Sequence, residues 1–264
     1  EIMTNYGDIS EIWFDMGSLT LSQSQGLYEL VSRLQPQCMI SGRLGNDWVD
    51  FAVMADNEYP DYKLGVPWQT AASIFPETWG YRSWQERGEV QPKVKEKIAS
   101  LVKVISRGGN YLLNIGPRGD GSVVEFERDV LLGIGKWIKV NAEAIYGTNA
   151  NPFDQPFAWG SITTKGNDLF AFVENIPVSS SIRLSGFSGK VSEVRLLASD
   201  ESCRFSQKGN SVVINLPQRI SGEFIPVLKI RFENGFKVVP STVVTGNVLS
   251  PQNATPVFGH SSLN

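Results

Sequence analysis

The stretch DISEIWFDMGS, residues 8–18, is the most informative about the fold, because its pattern predicts an apolar strand that ends at a carboxylate. Ile9, Ile12, Trp13 and Phe14 predict a buried strand, and Asp15 follows at its end. Strand alternation places Trp13 on the same side as Asp15, as an aromatic wall beside the carboxylate. Asp15 therefore either caps the following segment or begins a turn with the two residues after it, or it faces a pocket in which chemistry takes place.

The first half of the chain alternates strands with amphipathic helices. After the opening strand, Ser18 or Thr20 is a possible N-cap of a helix that Pro36 stops. Further strand and helix signals are QCMIS (37–41), WQTAASI (68–74), PKVKEKIASLVKVISRGG (92–109), NYLLNIGP (110–117) and an apolar period that runs from Phe126 toward Tyr146. Residues 43–67 are polar and aromatic, and they predict a long functional loop. The pattern indicates parallel β/α units. If such units form a barrel, active-site groups lie at the carboxyl ends of the strands.

The second half has the pattern of an antiparallel β-sandwich. Short alternating strands are predicted in DLFAFVEN (168–175), SIRLSG (181–186), VSEVRLLAS (191–199), SVVINLP (211–217) and PVLKIRFE (226–233). We therefore expect a barrel portion over residues 1–148 and a sandwich over 149–236. Residues 237–264 are rich in Ser, Thr, Asn and Pro, and they predict a linker or the start of a further domain.

Composition excludes several classes of function. The chain has 264 residues, a formal net charge of −3 and a pI near 5.4, which argue against a nucleic-acid partner. No apolar segment approaches the roughly 20 residues that span a bilayer. Cys38 and Cys203 fall in different predicted domains, so we expect buried thiols and no disulfide. His260 is the only histidine, so zinc sites and histidine-based catalysis are not expected, and the chemistry must use carboxylates without a metal or cofactor.

Five motifs in order carry a resemblance to a known family. EIWFDMG (11–17), SGRLG (41–45), PETWGYR (76–82), SRGGNYLLNIGPRGDG (106–121) and LLGIGKWIKVNAEAIYGT (131–148) resemble the α-L-fucosidases of glycoside hydrolase family 29. The resemblance covers about residues 9–148. It implies a catalytic β/α barrel followed by a β-sandwich, and retaining hydrolysis of terminal α-L-fucosyl groups from glycans through a covalent glycosyl-enzyme. It also favours a secreted or periplasmic location.

The resemblance implies roles for individual residues. Asp15 corresponds to the nucleophile, Arg43 to an arginine that contacts the sugar, and Trp79 to an aromatic group near the fucose methyl. The acid/base residue comes from the variable loop after the arginine. Glu58 is the predicted acid/base and Asp56 is its principal competitor.

Two further loop acids, Asp47 and Asp50, stay open as weaker candidates for the acid/base role, and each loop acid has a solvated surface role as the alternative. The glycine-rich stretch GGNYLLNIGPRGDG (108–121) lacks the ending of a phosphate-binding loop and is interpreted as framework.

The strand count is about half that of a complete barrel. Strands are predicted near residues 9–15, 37–42, 68–74 and 110–116, whereas such a barrel uses about eight. We therefore expect the second half of a barrel, with a missing N-terminal half as its partner. Two other functions stay open: a carbohydrate-binding protein on an inactive glycosidase fold, and a different retaining exo-glycosidase. We also expect the sandwich to need little from the barrel portion.

Overall fold

The computed structural model describes residues 1–15, 17–154, 156–217, 220 and 224–239. The helices are α1 (Ile2–Asn5), α2 (Leu21–Leu34), α3 (Val90–Ser106) and α4 (Glu125–Asn141), with 3₁₀ turns at Gly42–Leu44 and Ala142–Ala144. The strands of the first half are β1 (Glu11–Ile12), β2 (Met39–Ile40), β3 (Ala52–Val53), β4 (Trp68–Ser73) and β5 (Gly109–Asn114). The strands of the second half are β6 (Gly160–Lys165), β7 (Asp168–Val173), β8 (Ser181–Ser185), β9 (Phe187–Ser188), β10 (Val191–Leu196), β11 (Glu201–Ser202), β12 (Phe205–Lys208), β13 (Ser211–Asn215), β14 (Val227–Phe232) and β15 (Lys237–Val238).

The first half consists of parallel strands in chain order. β1 pairs with β2 in parallel, and β3, β4 and β5 form a second parallel set. A parallel bridge between Ser41 and Phe51 joins the two sets. Helix α2 connects β1 to β2 and α3 connects β4 to β5, as the sequence pattern predicted. The carboxyl ends of all five strands therefore lie on one side.

The stretch 43–67 is not the uninterrupted loop that we expected, since it contains a 3₁₀ turn and β3. A strand of two residues is too short to produce an alternating signal, and its stability comes from pairing with β4. The strand before Asp15 is also shorter than predicted. Its backbone pairing ends at Ile12, because the chain opposite turns into the 3₁₀ helix at Gly42.

The helices follow their sequence signals closely. Thr20 is the N-cap of α2, where its side chain and Gln23 form a capping box, and the helix ends two residues before Pro36. Helix α3 begins at Val90, earlier than Pro92 suggested. Pro92 fits in the first turn because the backbone N–H groups there have no partner within the helix.

The second half packs a five-stranded antiparallel sheet, in the order β11-β10-β14-β7-β6, against a three-stranded sheet, β12-β13-β8. The five predicted strands correspond to β7, β8, β10, β13 and β14. The prediction missed β6 and β12, whose sequences GSITTK and FSQK are mostly polar, and β9 and β11, which have two residues each. Lys237–Val238, which the sequence analysis assigned to a linker, pairs with Phe187–Ser188. The remainder of that predicted linker from residue 240, with His260, lies outside the described residues.

Strand β7 joins the cores of the two halves. Leu169 and Ala171 face the interior of the sandwich, whereas Phe170 and Phe172 face helices α3 and α4. All four side chains are fully buried. In addition, Trp137 Nε1 on α4 donates a hydrogen bond of 2.8 Å to the carbonyl of Ile225. The five-stranded sheet is thus covered on both faces.

Two expectations about side chains and helices can be compared with this fold. Cys38 and Cys203 are both free and buried, as predicted. No helix among the described residues is both long and apolar enough to cross a membrane.

Candidate active site

Asp15 lies just past the carboxyl end of β1, on the open side of the parallel strands. The backbone N–H of Phe14 donates to Ser41 Oγ at 2.9 Å, which fixes the chain next to the carboxylate. The Asp15 side chain is 58% exposed, so a ligand has access to it. Gly17 permits this path, because a Cβ there would lie 2.7 Å from the Arg43 carbonyl oxygen.

Arg43 connects Asp15 to the loop that follows β3. It lies in the 3₁₀ turn after β2, and its Nη1 is 3.4 Å from Asp15 Oδ1. Its Nη2 is 2.5 Å from Asp56 Oδ1 and donates to the Met54 carbonyl at 3.2 Å. The guanidinium carbon lies 5.0 Å from the ring centroid of Trp13. One cation therefore lies between two carboxylates and over an aromatic ring, which offsets the repulsion between the two acids.

The other loop acids differ in their surroundings. Glu58 is exposed, and its backbone carbonyl accepts a hydrogen bond from Thr70 Oγ1 on β4. The Asp50 carboxylate accepts bonds from the Ile40 N–H at 2.9 Å and the Tyr28 hydroxyl at 2.8 Å. The hydrogen bond to Asp50, followed by burial, raises the pKa of Tyr28. Asp50 thus has structural partners.

The remaining weak candidate, Asp47, lies in a turn with a φ of 63° and is exposed. Among the described residues, no group of three or more His, Cys, Asp or Glu side chains is placed to hold a metal ion.

Trp79 is held by the end of β5. Its backbone carbonyl accepts a hydrogen bond of 2.7 Å from Asn114 Nδ2, and the residue is 39% exposed. Gly116 packs against the same loop, since a Cβ there would lie 2.8 Å from the Gly80 carbonyl carbon. The N–H of Gly116 in turn donates to the buried carboxylate of Glu127 at 2.8 Å.

The structure therefore brings four of the predicted or competing site residues together: Trp13, Asp15, Arg43 and Asp56. The described contacts tie Glu58 to β4 and Trp79 to β5. Asn57 and Asn114 hold the loops that carry these residues, and neither was predicted from the sequence. The signal for Asn114 was present in the motif LLNIGP, which we interpreted only as framework.

Three comparisons show which known proteins the chain is similar to. The family model described as alpha-L-fucosidase matches residues 1–143, more than half of the chain. The tissue alpha-L-fucosidase of Bos taurus is 32% identical over 164 residues, which is 60% of this chain and 34% of that protein.

Two solved structures of bacterial alpha-L-fucosidases share the fold. Isoenzyme 1 from Paenibacillus thiaminolyticus has a TM-score of 0.78 at 28% identity and covers 88% of this chain and 60% of its own. The enzyme from Vibrio sp. strain EJY3 has a TM-score of 0.80 at 26% identity, with 89% of this chain and 44% of its own covered. The chain thus spans about a third of the length of the curated relatives it matches.

Proposed function

The chain belongs to the α-L-fucosidase family, glycoside hydrolase family 29, and we propose that the complete protein containing it hydrolyses terminal α-L-fucosyl groups of glycans with retention of configuration. The observation that carries the proposal is the cluster at the strand ends, where Arg43 lies between the carboxylates of Asp15 and Asp56 and over the ring of Trp13. An exposed carboxylate, a fixed cation and an aromatic face suit a sugar ring at its reactive carbon.

The chemistry runs in two displacements. A carboxylate oxygen of Asp15 attacks the anomeric carbon, the bond to the glycosidic oxygen breaks, and that oxygen takes a proton from a second carboxyl group. Water then attacks the glycosyl-enzyme, gives its proton to the same second group and releases Asp15. Arg43 orients Asp15 and the sugar hydroxyls, Trp13 forms a wall of the pocket, and Trp79 packs near the fucose methyl group.

Glu58 is our proposed acid/base, with Asp56 as the competing residue. Retaining enzymes place their two carboxyl groups about 5–5.5 Å apart. Asp56 and Glu58 lie in and next to the same turn, and Arg43 contacts this turn at Asp56. Asp56 is engaged with Arg43, and a carboxylate used as a hydrogen-bond acceptor for a guanidinium is poorly arranged to give a proton to a leaving group. The side chain of Glu58 has no such partner among the described residues.

We further propose that these residues belong to the second half of a barrel, over residues 1–148, which a complementary N-terminal half closes. Among the described strands, β1 and β5 each have a neighbour on one side only. Leu34 on α2 and Leu112 on β5 are exposed. A cavity of about 520 Å³ borders β5, with Leu101, Ile105 and Tyr111 in its lining. Unpaired strand edges and open apolar surface favour a covering partner.

The experiment replaces Asp15 in the complete protein. Asp15→Asn keeps the size of the side chain but removes the nucleophile, so kcat for an aryl α-L-fucoside should fall by about three orders of magnitude or more. Asp8→Asn, at an exposed carboxylate on the same segment, is the control and should keep full activity. Unchanged thermal melting of both variants would show that they fold. Near-normal hydrolysis by a folded Asp15→Asn protein, or a wild-type protein that hydrolyses no fucoside, would contradict the proposal.

A further inference from the structure

Asn57 lies between the two competing loop acids in a backbone conformation that few residues adopt. Its φ is 59°, in the left-handed region, where glycine and asparagine are the usual residues. Asp56 precedes it and contacts Arg43, and Glu58 follows it. The direction of the chain at Asn57 therefore determines where both carboxylates point.

Hydrogen bonds from Asn57 attach this turn to the end of β4. Its backbone N–H donates to the Ala71 carbonyl at 2.9 Å. Its side-chain Oδ1 accepts a bond of 2.9 Å from the N–H of Ser73, the last residue of β4, and lies 3.3 Å from Ser73 Oγ. Ser73 is 1% exposed, so its N–H depends on a protein acceptor. The Asn57 amide supplies the acceptor that β3 no longer provides once that strand has ended.

Neighbouring contacts leave Asn57 as the central attachment of the turn. The Met54 N–H donates to the Gln69 carbonyl at 3.0 Å, and the Glu58 carbonyl accepts from Thr70 Oγ1. Thr70 is fully buried, so the strand offers a rigid base. The turn is thus attached to β4 before, at and after Asn57.

We propose that Asn57 is a positioning residue that fixes the acid/base carboxyl group opposite Asp15. This inference rests on the proposed fucosidase function and adds a residue to it. Asn57 acts through Asp56 and Glu58, and it makes no contact with the reacting atoms. Two properties are needed together at this position: tolerance of a positive φ and a short side-chain acceptor for the Ser73 N–H.

Three variants of the complete protein separate these properties. Asn57→Gly keeps the backbone freedom and loses the acceptor, Asn57→Asp keeps both the acceptor and reasonable tolerance of the conformation, and Asn57→Ala loses both. Asn46→Gly is the matched control. Asn46 also has a positive φ, 56°, but its amide donates to the Leu19 carbonyl and Ser24 Oγ at α2.

The measurement is kcat/KM for two fucosides, one with a 4-nitrophenol leaving group and one with a sugar leaving group. This constant reports the first displacement, in which only the poor leaving group needs a proton. Because a misplacement of about 1 Å can cost on the order of 100-fold, Asn57→Gly should lose about 10- to 100-fold on the sugar substrate and much less on the nitrophenyl substrate. Asn57→Ala should lose at least as much. The ratio of kcat/KM on the sugar substrate to kcat/KM on the nitrophenyl substrate should stay near the wild-type value in Asn57→Asp. Asn46→Gly should leave the ratio unchanged.

The outcomes distinguish this inference from the function on which it rests. A wild-type protein that hydrolyses neither fucoside overturns the proposed function. An active wild type, combined with equal losses on both substrates for Asn57→Gly, indicates a general structural role and overturns the inference. So does an unchanged ratio. If Asn57→Gly fails to fold, Asn57→Asp is the deciding variant. If its kcat/KM ratio between the sugar and nitrophenyl substrates falls as far as that of a variant without the acid/base group, the side-chain acceptor does not position the acid.

Discussion

At the scale of single residues, Arg43 organises the site through four contacts. Its guanidinium reaches Asp15, Asp56 and the Met54 carbonyl and covers one face of Trp13. Arginine suits this position because its planar group has several donors in fixed directions, whereas lysine is a single point of charge.

Replacing Glu58 and replacing Asp56 should differ in how the loss of activity depends on the leaving group. Glu58→Gln should lower kcat/KM on a sugar leaving group by about 100-fold or more while sparing a nitrophenyl fucoside, because general acid catalysis contributes about 10²–10⁴-fold. Asp56→Asn should affect both substrates about equally, since it loosens Arg43. The comparison is made with purified variants on both substrates. If Asp56→Asn shows the leaving-group dependence and Glu58→Gln does not, their roles are exchanged.

The sequence could predict part of this constellation. Strand alternation placed Trp13 beside Asp15, and the resemblance indicated Arg43. The contact between Arg43 and Asp56 could not be predicted, because it depends on the left-handed turn at Asn57 and on a two-residue strand before it. Neither feature produces a periodic pattern in the sequence.

At the scale of elements, the end of β5 supports the loop that carries Trp79. Asn114 is the last residue of β5, and Gly116 lies against the backbone of Gly80. A side chain at position 116 would collide with that backbone, which explains the glycine in the motif NIGP. Our interpretation of this motif as framework was therefore incomplete, because the motif also holds the loop of Trp79, a predicted substrate contact.

Asn114→Ala should weaken recognition of the fucose methyl group. Loss of the bond to the Trp79 carbonyl frees the loop, and one apolar carbon in a pocket is worth about 1–3 kcal/mol, or roughly 10–200-fold in specificity. The ratio of kcat/KM for a fucoside to that for the same pyranoside without the methyl group should fall several-fold.

Asn110→Ala provides the control for this change. Asn110 lies at the other end of β5, where its amide donates to the Trp68 carbonyl at 3.4 Å. Its removal should leave the specificity ratio unchanged. An equal drop in both variants would mean that β5 as a whole, and not the anchor of the Trp79 loop, determines the ratio.

At the scale of the whole molecule, the two halves share a buried cluster of side chains. Phe170 and Phe172 point away from the sandwich core and pack on α3 and α4. A sandwich without the β/α portion would expose both rings, which argues against our expectation that it needs little from the barrel. The signal was present in LFAFV (169–173), because a strand buried on both faces has a nearly continuous apolar sequence, but we interpreted this segment as an alternating strand.

An ion-pair cluster lies beside this shared core and predicts a dependence of stability on pH. Asp168 accepts from Arg231 Nε at 2.9 Å and lies 3.2 Å from Lys229 Nζ, and Lys229 also contacts Glu143 next to α4. Burial alone would raise the pKa of Asp168, but the hydrogen bonds from Arg231 and Lys229 outweigh it and lower the pKa.

A carboxyl group with a lowered pKa in the folded state stabilises the fold above its unfolded pKa, near 3.9, and this contribution disappears as the pH falls through the folded value. Asp168→Asn should therefore cost about 1–2 kcal/mol at neutral pH and progressively less below about pH 4. Urea unfolding from pH 3 to 7 measures the free energy of unfolding at each pH, and so gives the cost of the substitution and its dependence on pH. Glu233→Gln, in an exposed pair with Lys190, is the control and should cost little at any pH. If the cost of Asp168→Asn grew as the pH fell, the lowered pKa of Asp168 would be contradicted.

The most direct test of the central claim is the identification of the residue that becomes covalently bound to the sugar. The complete protein is incubated with a 2-deoxy-2-fluoro fucosyl donor that has a good leaving group, so that the glycosyl-enzyme forms faster than it hydrolyses. Mass spectrometry of the intact protein and then of its peptides locates the label. We predict one fluorofucosyl group, on the carboxylate of Asp15, and no label in Asp15→Asn. A label on Glu58 or Asp56, or hydrolysis of fucosides with inversion and without any adduct, would contradict it.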